Sequence, residues 1–223
     1  MQRQSLFFAR SDTLGDKFEG VSTKVDLDLR RKFRKQWLET LRLPDSWLAE
    51  ILAQDSRFWE RFRQYIYVNC WHMNEHESNS MWNLYSRVDK GIAIQSTYKR
   101  LCQSLNICKE TVYVGMVKYR DLSNEMTPID NAFYRYIFKE KSYADERELR
   151  ALIIKLTDDD GNLIIESTDT GILSCVNLDL LIERVVMSPT ARTSFVDKVK
   201  STTNKHGIDK TVDSSILARE PLF

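Results

Sequence analysis

Apolar positions recur along this chain in blocks, and their period switches between two and about four. Ser5–Arg10 is a short apolar run closed by a charge, which predicts a strand that carries Arg10 to its tip. The polar stretch Ser11–Gly20 predicts a turn with Gly15 and Gly20 as flexible points. Val25, Leu29, Phe33, Trp37 and Leu41 then fall four apart, the spacing of a helix with one apolar stripe, and Arg30, Arg31, Arg34 and Lys35 take its other face. Pro44-Asp45-Ser46 stops that helix and caps the next, where Trp47, Leu48, Ile51, Leu52, Phe58, Trp59 and Phe62 keep the same spacing. The two helices predict a helical insertion after the first strand, over about residues 24–65, packed as an antiparallel pair outside the sheet.

The β-branched and aromatic run Ile66–Trp71 predicts a second strand. A polar loop, His72–Ser78, leads into a short helix with Met81, Trp82 and Tyr85 on one side, ended by Lys90-Gly91. Ile92–Ile94 reads as strand, Thr97–Leu105 as helix and Thr111–Tyr119 as one strand. Ile129, Phe133, Tyr136 and Ile137 mark a helix, and Glu148–Leu156 a strand that turns at Asp158–Asn162 into a partner, Leu163–Glu166. A strand within Leu180–Met187, a helix Thr190–Asn204 and a last strand Thr211–Ile216 complete the chain. Strands and helices mix without strict βαβ alternation, so the expected class is α+β with a mixed or antiparallel sheet core, in a single domain over residues 1–223.

Charge removes several function classes. The 33 Lys+Arg against 32 Asp+Glu leave a formal net charge of +1, which argues against a strongly basic nucleic-acid binder. No apolar run approaches the roughly 18–20 residues of a membrane span, so no membrane partner is expected. The first residues are interrupted by Arg10 too early for a secretory signal. Cys70, Cys102, Cys108 and Cys175 form no C-x-x-C pair, which fits reduced thiols in a cytoplasmic protein.

Four constellations carry candidate chemistry. His72-Met73-Asn74-Glu75-His76 matches H-x-x-E-H, but the segment has no apolar stripe to seat it as a helix, so no metal is expected there. Ser142–Arg150 gathers acids and arginines before an apolar strand, and alternation puts Glu146, Glu148 and Arg150 on one face. Two carboxylates so placed repel unless a cation or substrate compensates; they mark either an acid/base site or an ion-paired strand start. Met81-Trp82-x-x-Tyr85 is either core or a stacking wall for a planar ring. Arg10 with Ser11 either holds a phosphate or carboxylate or pairs with Asp12 or Glu19.

The segments F-F-A-R-S (7–11), G-D-K-F-E-G (15–20), V-N-C-W (68–71), M-W-N-L-Y (81–85), K-G-I-A-I (90–94), K-S-Y-A-D-E-R-E-L-R (141–150) and V-V-M-S-P-T-A (185–191) together resemble a bacterial family of unknown function found in many genomes and some phage-defence contexts. Its most specific parts are M-W-x-x-Y…K-G and Y-x-x-E-x-E-x-R. The order of pieces is also similar to ADP-ribosyltransferases: an Arg on strand one, a middle strand, a short helix, two strands, then Glu-x-Glu opening a strand. Asn69-Cys70-Trp71 stands where the Arg-Ser-Glu subgroup has Ser-Thr-Ser.

That resemblance implies an ADP-ribosyltransferase-like core consuming NAD as substrate. Glu148 would stabilise the ribosyl oxocarbenium and Glu146 would orient or deprotonate the acceptor. Arg10 and Ser11 would hold the pyrophosphate side, and Trp71, Trp82 or Tyr85 would stack on nicotinamide. The acceptor would be a protein, a nucleic acid or water, and the role that of a toxin or phage-defence effector. Two other readings stay open: a non-enzymatic sensor or partner-binding module, and a Mg²⁺-dependent nucleic-acid-processing enzyme.

Overall fold

The structure, a computed structural model, describes residues 4–16, 18–86, 89–128, 131–158, 160–164 and 169–219. It is α+β, and its largest sheet is mostly antiparallel. Contacts divide the chain into two compact units where the sequence reads as one domain. The first is Met1–Leu6, Met73–Lys109 and Ser174–Phe223; the second is Phe7–His72 and Glu110–Leu173.

The second unit holds the larger sheet. Its strands are β1 (Ser5–Arg10), β2 (Ile66–His72), β4 (Val112–Met116), β7 (Glu148–Ile154) and β8 (Gly171–Cys175), in the order β4-β7-β2-β1-β8. The unit division cuts β1 and β8 near one end of each. Between β1 and β2 in the chain stand helices α1 (Lys24–Thr40) and α2 (Trp47–Phe62), which pack on each other. A full capping box starts α1: the Thr23 hydroxyl accepts from Asp26 N–H at 3.0 Å while Asp26 accepts from Thr23 N–H at 2.9 Å. Leu38 is the fully buried apolar residue of α1.

The apolar run 111–119 is not one strand. After Met116 the chain leaves β4, Val117 N–H donates to the Glu148 carbonyl at 2.9 Å, and β5 (Lys118–Arg120) pairs in parallel with β6 (Phe138–Glu140). The helix expected around Phe133 shortens to α5 (Tyr134–Ile137), with Ile129 outside the described residues. Of the expected partner strand Leu163–Glu166, one bridge remains, Thr157 to Leu163; Ile165 and Glu166 lie outside the described residues.

In antiparallel pairs, residues directly opposite share a face. The register Ile66↔Ile154, Val68↔Leu152, Cys70↔Arg150 and His72↔Glu148 therefore puts these eight side chains on one face of β2 and β7. That face is apolar at one end, where Ile66, Val68, Leu152 and Tyr136 cluster with Phe62, Phe133 and Ile137. Towards the other end it becomes ionic.

The first unit holds a three-stranded sheet in the order β10-β9-β3, from β3 (Ile92–Gln95), β9 (Arg184–Met187) and β10 (Val212–Ser214). Its helices are α3 (Asn79–Tyr85), α4 (Tyr98–Leu105), α6 (Leu178–Leu181) and α7 (Thr193–Lys205). Glu77, just before α3, accepts from Ser215 Oγ at 2.5 Å, Ile216 N–H at 2.9 Å and Trp82 Nε1 at 3.1 Å, and so ties the segment after β10 to the start of α3. The glycine of the K-G pair has a steric cause: a Cβ on Gly91 would lie 2.4 Å from Ser86 Cβ.

Among the described residues no helix is long and apolar enough to cross a membrane. The four cysteines are free thiols.

Candidate functional site

At the ionic end of the β2–β7 face, sequence and register build one buried cluster. Glu148 opens β7, and Arg150 follows two residues later on the same face. Arg150 is 1 % exposed, and all five of its N–H donors are used. Two go to Glu148 (Nε at 2.7 Å, Nη2 at 3.1 Å), two to Glu19 (Nη1 at 2.6 Å, Nη2 at 3.0 Å), and one to the Tyr136 carbonyl at 2.6 Å. Glu19 reaches it from the turn before α1, where Gly20 at φ +69° packs against the Tyr136 ring.

Lys139 closes the cluster. The β5–β6 pairing sets Tyr119 beside Lys139. The Lys139 ammonium donates to Glu146 at 2.5 Å and to Glu148 at 2.8 Å, and lies 4.5 Å from the Tyr143 ring centroid. The Tyr119 hydroxyl accepts the Glu148 backbone N–H at 2.8 Å. Glu146 lies in the 3₁₀ turn Lys141–Glu146, and Arg147, left-handed at φ 41° and ψ 54°, reverses the chain so that both carboxyls meet one ammonium. His72 Nδ1 donates to the Glu146 carbonyl at 2.6 Å and ties that turn to the end of β2; its Nε2 is buried and unpartnered among the described residues.

The two carboxyls are driven apart. Burial opposes ionisation of Glu148, but the Arg150 hydrogen bonds and charge, with those of Lys139, hold its carboxyl well below the usual range. Burial raises Glu146, and the neighbouring Glu148 carboxyl raises it further against the pull of Lys139. In the cluster three carboxyls, Glu19, Glu146 and Glu148, face two cations, Lys139 and Arg150. Glu146 is the more accessible of the pair, with 16 % of its side chain exposed against 7 % for Glu148.

Of the other predicted site residues, those in the second unit do not join this pair. Arg10 opposes Tyr67 and Trp71 opposes Leu149, so both lie on the opposite face of the sheet from Glu148. Along β2, Tyr67 and His72 are five residues apart, so Arg10 is also displaced from Glu148 by roughly 17 Å along the strand direction. Arg10 pairs with Asp12 at 2.7 Å, and Trp71 Nε1 donates to Asn69 at 2.6 Å. Ser11 is fully buried and donates to the Arg63 carbonyl at 2.7 Å, a structural tie rather than a ligand contact. Trp82 and Tyr85 belong to the first unit: Trp82 is 8 % exposed and bonded to Glu77, while Tyr85 is 71 % exposed. His72 ends β2 and His76 lies in an exposed bend, so the H-x-x-E-H spacing does not form on a helix; among the described residues no group of three such side chains is placed to hold a metal.

Sequence reading missed Glu19, Lys139, Tyr119 and His72 as members of the cluster. Glu19 lies inside G-D-K-F-E-G, so its motif was visible without its partner. Lys139 has no local signal, because the parallel β5–β6 pairing that delivers it depends on the sheet change at Val117. Comparison with known proteins returns no matching family model, no matching curated protein and no matching solved structure.

Proposed function

We propose that the chain is an NAD-consuming enzyme of the ADP-ribosyltransferase type, acting through Glu146 with Glu148 as its positioning partner. One observation carries this reading: Glu146 is the accessible member of a carboxyl pair that shares one ammonium. Such a pair supplies an acid/base group beside a fixed charge. The strand order adds support, since it sets Glu148 at the start of the strand next to β2, and β2 next to β1.

The roles differ from those the motif order implies. Both oxygens of Glu148 are held by cations, so its part is to tune and hold Glu146. Glu146 is the group that takes the acceptor's proton when the nicotinamide–ribose bond breaks. Arg10 and Trp71 have no part in this scheme; Tyr143 and His72 are the groups beside Glu146. With water as acceptor the products are nicotinamide and ADP-ribose, and with a protein or nucleic acid the product is a modified macromolecule. A toxin or phage-defence role in the cytoplasm extends the same proposal.

A second reading is favoured by the saturation of Arg150. A guanidinium with every donor used is what a structural clamp requires, and the chain would then be a partner-binding module with an ionic core. Incubating the purified chain with labelled NAD, with and without cell lysate, separates the two. Release of nicotinamide or label on a macromolecule supports the enzyme; neither product under both conditions supports the module.

A further inference from the structure

β4 is one edge of the larger sheet, and it carries none of the devices that protect an edge. Val112–Met116 holds no charged residue and no proline, and its register against β7 runs one to one without a bulge. Tyr113 is 49 % exposed and Met116 61 %.

The register decides which backbone groups point outward. Val117 N–H donates to the Glu148 carbonyl at 2.9 Å, and bonded pairs alternate along an antiparallel ladder. Gly115 and Tyr113, two and four residues earlier, therefore bond to Arg150 and Leu152 of β7. The far side of β7 has the same phase. There Lys155 N–H donates to the Tyr65 carbonyl at 2.9 Å, which turns the odd-numbered residues of β7 to β2 and leaves the even ones for β4. Val112, Val114 and Met116 thus turn N–H and C=O away from the sheet, and among the described residues these groups have no hydrogen-bond partner.

Gly115 supplies a second observation. A glycine inside a strand weakens it and marks a place that a neighbour can fill. Its φ is not positive, and a Cβ there would meet only Ile137 Cγ2, at an ordinary 3.8 Å. The fold of one copy therefore does not call for glycine at this position.

We propose that β4 pairs antiparallel with β4 of a second copy, about a two-fold axis at Val114. Val114 then bonds its own counterpart in both directions, and Val112 of each copy bonds Met116 of the other, so every outward group is used. A slip of one residue sets outward groups against inward ones and forms none of these bonds. Opposite residues share a face, so Tyr113 of each copy lies over Gly115 of the other, an aromatic ring in the space that glycine leaves. Just beyond the paired residues, Glu110 of one copy comes level with Lys118 of the other, twice over by symmetry. The strand matches itself in hydrogen bonds, in side-chain volume and in charge, which selects a second copy over an unrelated strand. The inference stands whether or not the Glu146–Glu148 pair is catalytic.

Sedimentation of the full chain between about 1 and 100 µM should show the mass rise from 26.2 kDa to twice that. Amide exchange followed residue by residue should slow with concentration at Val112, Val114 and Met116. Tyr113 and Gly115, bonded to β7 in either state, should be slow throughout. This pattern needs the wild type alone, so it decides even where a variant misfolds. Val114→Pro removes an outward donor and keeps every bond to β7, so it should weaken the dimer about tenfold or more while the dilute protein melts as before. Val114→Lys and Val114→Glu each set like charges face to face at the axis and should be monomeric alone, whereas their mixture should recover a dimer. A chain that stays monomeric at about 100 µM would overturn the proposal. So would a dimer whose three outward amides still exchange fast, or one that a folded Val114→Pro leaves intact.

Discussion

Replacing Arg150 with Met tests whether the cluster is as tightly coupled as its distances imply. The substitution keeps much of the buried volume and removes the guanidinium, with its two bonds to Glu19, two to Glu148 and one to the Tyr136 carbonyl. Glu19 is left in a buried site without its bidentate cation, and Glu148 keeps Lys139 alone. Breaking a buried pair from one side costs about 3–5 kcal/mol, most of it from the charges left behind. The pH dependence has a definite sign. In the wild type Glu148 is held below its unfolded value of 4.5, so its contribution is complete above that pH and is lost as pH falls through the folded value. In Arg150→Met, Glu148 loses the cation that outweighs its burial, Glu19, which burial already raises in the wild type, loses the cation that opposes that rise, and the folded state is relieved as they protonate. The gap between the two proteins should therefore be widest at about pH 7.5 and narrow towards about pH 5. Urea unfolding followed by tryptophan fluorescence at both pH values measures it, and should the variant fail to fold at neutral pH, recovery on acidification reads the same effect. A loss under about 1 kcal/mol at neutral pH, or a gap that does not close with acid, would refute the coupling.

Three further substitutions probe the scaffold. Gly20→Ala meets both a positive φ of 69° and a Cβ placed 2.5 Å from the Tyr136 ring, so it should cost more than about 2 kcal/mol in the same unfolding assay. Thr23→Ala removes the hydroxyl that accepts from Asp26 N–H and should cost about 1 kcal/mol, seen as a lower unfolding midpoint with unchanged slope. Glu77→Gln weakens the acceptor for Ser215, Ile216 and Trp82. Its partial exposure limits the cost to at most about 1 kcal/mol, but hydrogen exchange should quicken at Ile216–Ala218.

Local patterns made much of the second unit legible. The strands at Ser5–Arg10 and Ile66–His72, both long helices and the start of β7 at Glu148 follow from residue spacing and from Pro44-Asp45-Ser46. The carboxylate pair was also visible, because strand alternation alone puts Glu148 beside Arg150. What could not be read was long-range. Thr111–Tyr119 is uniformly apolar in pattern, and only the bond from Val117 to Glu148 shows that the chain changes sheets there. The three-residue strand β6 is too short for a period to show. The faces of Arg10 and Trp71 depend on register across three strands, which no local spacing encodes. The apolar stripe of α1 is expected to pack the helix pair together, yet Phe33, Trp37 and Leu41 remain open to solvent.

Nicotinamide release by the wild type, by Glu146→Gln and by Glu148→Gln, each confirmed folded by its melting curve, tests the functional account most directly. The account predicts release by the wild type and a fall of about 10²–10³ in Glu146→Gln, which keeps the shape of the carboxyl but can neither take nor give its proton. It predicts a comparable fall with a lower melting temperature in Glu148→Gln, because that residue acts through the cluster. Release unaffected by Glu146→Gln, or no release from the wild type together with a destabilised Glu148→Gln, would contradict it.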